Sequence, residues 1–259
     1  MWHIVTSYLK FLWHSKNEYA VHSPFVFDLL TKCVYDKSPR PEYRILENYR
    51  KSLLENDAVI EVTDFGAGSR VFKSNRRKVS DIAKNAGISS ERAKLLFRLT
   101  EYFRPETILE IGTSLGLATS ALSLGNPSAK ITSLEGCGET ANVAKKHFEK
   151  PNLRNINVLV TEFESHLKSL NPEPCGVDLI YFDGNHQKAA TLKYFDLLLP
   201  TATNDSVWIF DDIHWSKDME EAWQIIKQNP VVTVTIDTFQ WGLVFFRKEQ
   251  PKEHFVLRT

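Results

Sequence analysis

From Thr107 onward, short apolar runs alternate with longer stretches of helical period. The runs, bounded by Gly, Pro, Asn and Asp, predict strands at 107–112, 130–135, 156–161, 177–183, 206–211, 231–238 and 241–247. Apolar residues three and four apart predict helices between them, near 115–124, 138–149, 162–170, 188–198 and 217–228. Such alternation builds a doubly wound, mostly parallel, seven-stranded α/β sheet. The last two strands, VTVTIDTF and QWGLVFFR, have almost nothing between them, so they must close as an antiparallel hairpin.

Residues 1–104 lack this rhythm and read as a helical extension, or cap, ahead of a 105–259 domain. Trp2, Val5, Tyr8, Leu9, Leu12 and Trp13 recur at helical spacing and predict an amphipathic first helix. Ser23 and Pro24 suit the start of a second helix, and Pro41 precedes a third over 42–55. Ser89 or Ser90 caps a fourth, which Pro105 ends. No run approaches the roughly 20 apolar residues of a membrane span. Lys10 interrupts the first helix and no small-residue cleavage site follows, so it is a poor signal peptide. Packing on the rest of the chain is expected for it, with peripheral membrane contact through residues 1–14 as the alternative.

Composition changes this picture little. Hydrophobic residues make up 42% and charged residues 25%, as in ordinary globular chains. Cys33, Cys137 and Cys175 are scattered and odd in number, which argues for a reducing, cytoplasmic setting and against a zinc site. Charge is more informative. Residues 1–104 hold 18 Lys and Arg against 12 Asp and Glu, while 105–259 hold 14 against 20. An anionic partner would be drawn to the N-terminal part. Its basic run, Arg70, Lys73, Arg76, Arg77 and Lys78, reads either as a solvated face or as a holder of an acceptor's phosphate or carboxylate.

Two glycine turns compete for a nucleotide crevice. One is DFGAGS, with Gly66 and Gly68; the other is LEIGTSLG, with Gly112 and Gly116. A first crossover needs a helix and then a strand ending in an acid about 20 residues on. Only the second turn has this, with Glu135 closing KITSLE 23 residues after Gly112. The first is expected to be a surface loop. In the second, E-x-G-x-x-x-G replaces the dinucleotide fingerprint, and a carboxylate at Glu110 would repel phosphate but suit a cationic ligand. Glu135 can accept ribose hydroxyls, or it can simply be an acid favoured at a helix N-terminus.

Parallel sheets place ligands at strand C-termini. VDLIYF delivers Asp183 there, and SVWIF delivers Asp211 and Asp212. Each alone could cap a turn, but three carboxylates together favour a hard divalent cation such as Mg²⁺ or Mn²⁺. His186 and His214 follow within three residues and are candidate bases. Trp215 and Trp241 could wall an apolar acceptor or pack the core.

LEIGT-x-x-G resembles the first motif of the S-adenosylmethionine-dependent methyltransferases, especially the catechol O-methyltransferase-like group. The whole chain, including HSPFVFD and DFGAGSR, also resembles a methyltransferase group associated with Bacteroidetes. The resemblance implies the Rossmann-like methyltransferase sheet and S-adenosylmethionine as cofactor. It implies contacts from Gly112, Thr113, Ser114, Gly116, Glu135, Asp183 and, near the adenine, Glu162 and Phe163. It also implies metal ligation by Asp183, Asp211 and Asp212, with His186 where those enzymes carry a lysine base. The expected acceptor is a hydroxyl on a small molecule. Two alternatives stay open: an RNA methyltransferase using the basic N-terminal part, and a non-catalytic cofactor-binding or membrane-associated protein on the same fold.

Overall fold

The computed structural model describes residues 2–63, 74–170 and 176–258. The chain begins with α1 (Trp2–His14) and α2 (Pro24–Leu29), the latter running into a π-helical turn at Leu30–Val34. Then come α3 (Pro41–Leu54), the short strands β1 (Val59–Glu61) and β2 (Arg76–Lys78), α4 (Val79–Asn85) and α5 (Ser90–Phe103). The alternating part starts with β3 (Thr107–Ile111), α6 (Leu117–Gly125), β4 (Lys130–Glu135), α7 (Gly138–Glu149) and β5 (Ile156–Val160). It continues with α8 (Phe163–Ser169), β6 (Leu179–Phe182), α9 (Lys188–Leu198), β7 (Val207–Asp211) and α10 (Lys217–Gln228). The chain ends in β8 (Val234–Asp237), β9 (Trp241–Phe245) and β10 (Glu253–Val256).

Eight strands form the mostly parallel sheet, one more than the periodicity predicts. The addition is β10, parallel to β8 with Glu253 beside Val234. Four residues flanked by Pro251, Lys252 and Arg258 carry too little pattern to announce a strand. The predicted hairpin is present: β9 runs antiparallel to both β8 and β7.

Compactness divides the chain differently from the 104/105 boundary expected from the sequence. One unit is residues 36–163; the other joins 1–35 to 164–259. In the first unit, β3, β4 and β5 lie side by side and parallel. Here α5 packs so closely on α6 that a Cβ on Gly125 would lie 2.6 Å from the Phe97 carbonyl oxygen. Ser89 caps α5 by accepting the Arg92 N–H. β1 and β2 form a separate antiparallel pair. Gly66 and Gly68 of the competing turn, with Asp64, Arg70 and Lys73, lie outside the described residues, as does Cys175.

In the second unit, the first 35 residues join strands from the far end of the chain by apolar contact. Phe11 of α1 is buried 5.5 Å from the Phe239 ring, and Phe25 stacks edge-on against Phe245 at 5.0 Å. A parallel bridge pairs Lys16 with Leu257. Ser23 caps α2 as predicted, accepting the Val26 N–H at 3.3 Å. Trp208, Trp223, Trp241, Phe210 and Phe245 fill the interior, each worth roughly 1.5–3 kcal/mol of apolar burial. Trp241 is thereby a core residue, edge-on to Tyr181 at 5.9 Å, while Trp215 is 37% exposed.

Candidate functional site

β3 passes to α6 through a loop that turns left-handed three times, at Gly112 (φ 105), Ser114 (φ 48) and Gly116 (φ 77). At Gly116 a Cβ would lie 2.5 Å from Phe148 Cζ and 2.7 Å from the Tyr49 hydroxyl, so position and backbone both demand glycine. The Tyr49 hydroxyl donates to the Leu115 carbonyl at 2.9 Å. The N–H groups of Gly112 and Thr113 both donate to the Leu134 carbonyl, at 2.9 and 3.0 Å. Glu135, at the end of β4, fixes the loop from its rim: its carboxylate accepts the Ser114 N–H at 2.7 Å and the Cys137 N–H at 2.9 Å. β5 is in register with Glu135 opposite Val160, which sets exposed Glu162 and half-buried Phe163 just past the same strand ends.

Glu110, on β3, turns into the interior. Its side chain is wholly buried, with Oε2 accepting from Thr119 Oγ1 at 2.5 Å and from Ser133 Oγ. Thr113 Oγ1 in turn lies 2.5 Å from Ser133 Oγ. Burial pushes the Glu110 carboxyl up to about 8; the two hydroxyls oppose the shift and the negative charge of Glu135 adds to it. The expected anionic counter-charge for a cation is therefore a neutral buried acid at pH 7, and its role is to support the loop. Its partners Thr119 and Ser133, and the loop's neighbours Tyr49 and Phe148, were not among the residues expected from the sequence. Hydroxyls inside the apolar runs at 119 and 133 are a readable sign of a buried polar partner. Tyr49, 66 positions from its acceptor, carries no local sign.

In the other unit, β6 and β7 pair in parallel with Phe182 opposite Phe210, so Asp183 and Asp211 leave at one level. Asp211 is buried and its Oδ1 accepts the Asp212 N–H at 2.9 Å, while Asp212 itself is left-handed (φ 54). His186 Nε2 lies 3.6 Å from Asp183 Oδ1. The Asn185 side-chain oxygen is buried without a hydrogen-bond partner among the described residues. His214 is held on both sides, Nδ1 at 2.9 Å from Glu220 and Nε2 at 2.8 Å from Asp237, and it stacks on Phe239. Burial alone would lower its pKa, but hydrogen bonds and charge from Asp237 and Glu220 outweigh that and raise it. With both nitrogens engaged, His214 ties elements together and is not poised as the base expected of it.

The sequence also predicts that Asp183, Asp211 and Asp212 hold a divalent ion. Among the described residues, no group of three or more His, Cys, Asp or Glu side chains could hold a metal. The three aspartates share a rim without forming a ligand set. Asp211 turns into the protein and the chain bends left-handed straight after it.

Residues 109–213 match the family model of a methyltransferase domain. That stretch contains the glycine loop, Glu135, Asp183, Asp211 and Asp212. A tRNA (guanine-N(7)-)-methyltransferase of Mycoplasma mobile is 35% identical over 78 residues, which are 30% of this chain and 36% of that protein. The chain thus spans about a third of the length of the curated relative it matches. Similar solved folds include an S-adenosylhomocysteine-bound methyltransferase of Podospora anserina, with TM-score 0.60 and 13% identity, covering 88% of this chain and 97% of that one. An S-adenosylmethionine complex of an O-methyltransferase from Streptomyces achromogenes gives TM-score 0.58 at 14% identity over 86% and 95%. An O-methyltransferase from Bacillus cereus gives 0.54 at 18% identity over 85% and 97%. The chain thus shares the Rossmann-like architecture of these proteins.

Proposed function

We propose that the chain is an S-adenosylmethionine-dependent methyltransferase acting on a hydroxyl of a small molecule, with the cytoplasm as its compartment. The observation that carries this reading is the left-handed loop at 112–116 fastened to Glu135 inside the stretch that matches a methyltransferase domain. Gly112, Thr113, Ser114 and Gly116 would take the adenosyl side of the cofactor, Glu135 its ribose hydroxyls, and Glu162 and Phe163 its adenine. The cofactor, when bound, supplies a methyl group on a sulfonium. The protein's share is to align the acceptor and remove its proton.

His186 is the base in this reading, with Asp183 orienting the ring. The unsatisfied Asn185 oxygen would accept a hydrogen bond from the acceptor, since a buried polar atom without a partner costs free energy. No step is assigned to a metal, because the aspartates do not assemble into a ligand set. The Streptomyces protein, an O-methyltransferase involved in tomaymycin synthesis, supports a small-molecule acceptor. The Mycoplasma match favours a second reading, a tRNA acceptor, for which the surplus of basic residues in 1–104 would supply the attraction.

Calorimetry with S-adenosylhomocysteine tests the cofactor half. Binding is expected, unaffected by NAD, and Glu135→Ala should weaken it by about 1.5–3 kcal/mol. An unaltered affinity in that variant would remove Glu135 from the site. For the acceptor half, methyl transfer to catechol-type hydroxyls is compared with transfer to unmodified tRNA. His186→Ala should lower kcat on the small molecule while leaving cofactor affinity intact; label appearing in tRNA alone would replace the first reading by the second.

A further inference from the structure

The surface helix α1 is apolar on its wrong side. A helix packed on a core normally turns polar residues outward. Here Ser7 and Phe11 face inward, while Trp2 is 84%, Leu9 61% and Trp13 87% exposed, and Val5 and Tyr8 are about half exposed. Trp2, Val5, Leu9 and Trp13 follow each other at spacings of three and four, so they form one stripe along the helix. Trp2 and Trp13 mark its two ends, three turns and about 16 Å apart. Tyr19, 85% exposed, adds an aromatic ring just beyond.

The charged side chains of residues 2–17 share one sign, while Glu220 of α10 meets the helix at His3 and Ser7. Residues 2–17 contain no Asp or Glu, and Lys10 and Lys16 are exposed. From the chain's other end, exposed Arg258 reaches α1, its Nη2 donating to the Leu12 carbonyl at 3.3 Å and to Ser15 Oγ at 3.2 Å. The helix is seated firmly enough to present this face. Phe11 and Tyr8 pack on Phe239, at 5.5 and 4.9 Å, and His3 lies 3.7 Å from Glu220 of α10.

We propose that the outer face of α1 docks in the plane of an anionic lipid surface, with Trp2, Val5, Leu9 and Trp13 entering the interface and Lys10, Lys16 and Arg258 facing the headgroups. Tryptophans at both ends of a short helix suit the interfacial layer, where an indole has an apolar body and a polar N–H. The basic rim adds attraction to acidic headgroups. A second copy of this chain fits less well, because pairing two such faces would bring the same cations together. This proposal stands apart from the methyl-transfer reading, since its residues belong neither to the loop at 112–116 nor to the Asp183 rim.

Flotation of the full chain with vesicles tests it. Vesicles of equal parts phosphatidylcholine and phosphatidylglycerol should carry the protein, and phosphatidylcholine alone should carry much less. Trp2→Ala with Trp13→Ala should reduce partitioning by about tenfold or more. Lys10→Glu should reduce it on the anionic vesicles and remove most of its salt dependence. All three positions are exposed, so circular dichroism and S-adenosylhomocysteine affinity serve as checks that the variants fold. The proposal is overturned if the wild-type chain stays off anionic vesicles, or if the double variant floats equally well. It is also overturned if sedimentation without lipid shows a dimer that the tryptophan changes dissolve, which would assign the face to a second copy.

Discussion

Burial pushes the Glu110 carboxyl up to about 8, so the group keeps its proton at neutral pH. Its two hydroxyl partners hold one oxygen, and the other, Oε1, is buried without a partner. The group's folded pKa of about 8 lies above its ordinary 4.5, so the folded state is the one that keeps the proton. Stability from this group is therefore complete below about pH 4.5 and is lost as pH rises through about 8. Glu110→Gln keeps the shape and cannot ionise. Urea unfolding at pH 5 and pH 8 should show the wild type losing stability across that interval and the Gln variant losing much less. Equal slopes for the two proteins would place the ionisation elsewhere. Glu135 stands one strand away in a different setting, half-buried and bonded to two main-chain N–H groups.

Among the elements, His214 is the tie between the turn after β7, helix α10 and the end of β8. It is only 13% exposed and bonded to a carboxylate on each side. Its raised pKa means that the folded state favours the charged ring, so its contribution is present below about pH 6.5 and fades as pH rises through the raised value. His214→Ala should cost about 2–3 kcal/mol at pH 6, measured by denaturant unfolding, and clearly less at pH 9. A cost independent of pH would mean that the ring's packing on Phe239, and not its charge, is what matters. Because Glu220 also faces His3 of α1, the same tie supports the seating of the first helix.

For the whole molecule, the metal is the expectation with the largest consequence. Asp183, Asp211 and Asp212 leave adjacent strands, yet they form no ligand set among the described residues. Methyl transfer should accordingly survive treatment with a chelator. A loss that added Mg²⁺ restores, together with unchanged cofactor binding, would show that the acceptor assembles the ligands on arrival. Seven of the eight strands of the sheet, the closing hairpin, the cap at Ser23 and the crossover that starts at Gly112 were legible as pattern. Period and spacing are local, and a parallel strand followed by a glycine turn, a helix and an acid-tipped strand leaves little freedom. The sequence by itself determined which residues reach the strand ends. Tertiary structure decided what each became there, because burial and partners come from residues far away in the chain. Burial pushes the Glu110 carboxyl up to about 8 against the pull of the Ser133 and Thr119 hydroxyls. Glu220 and Asp237 convert a candidate base into a tie. Contacts with residues about 220 to 240 positions downstream join the first 35 residues to the far end of the chain, and packing at Phe11 turns the helix so that its tryptophans face water.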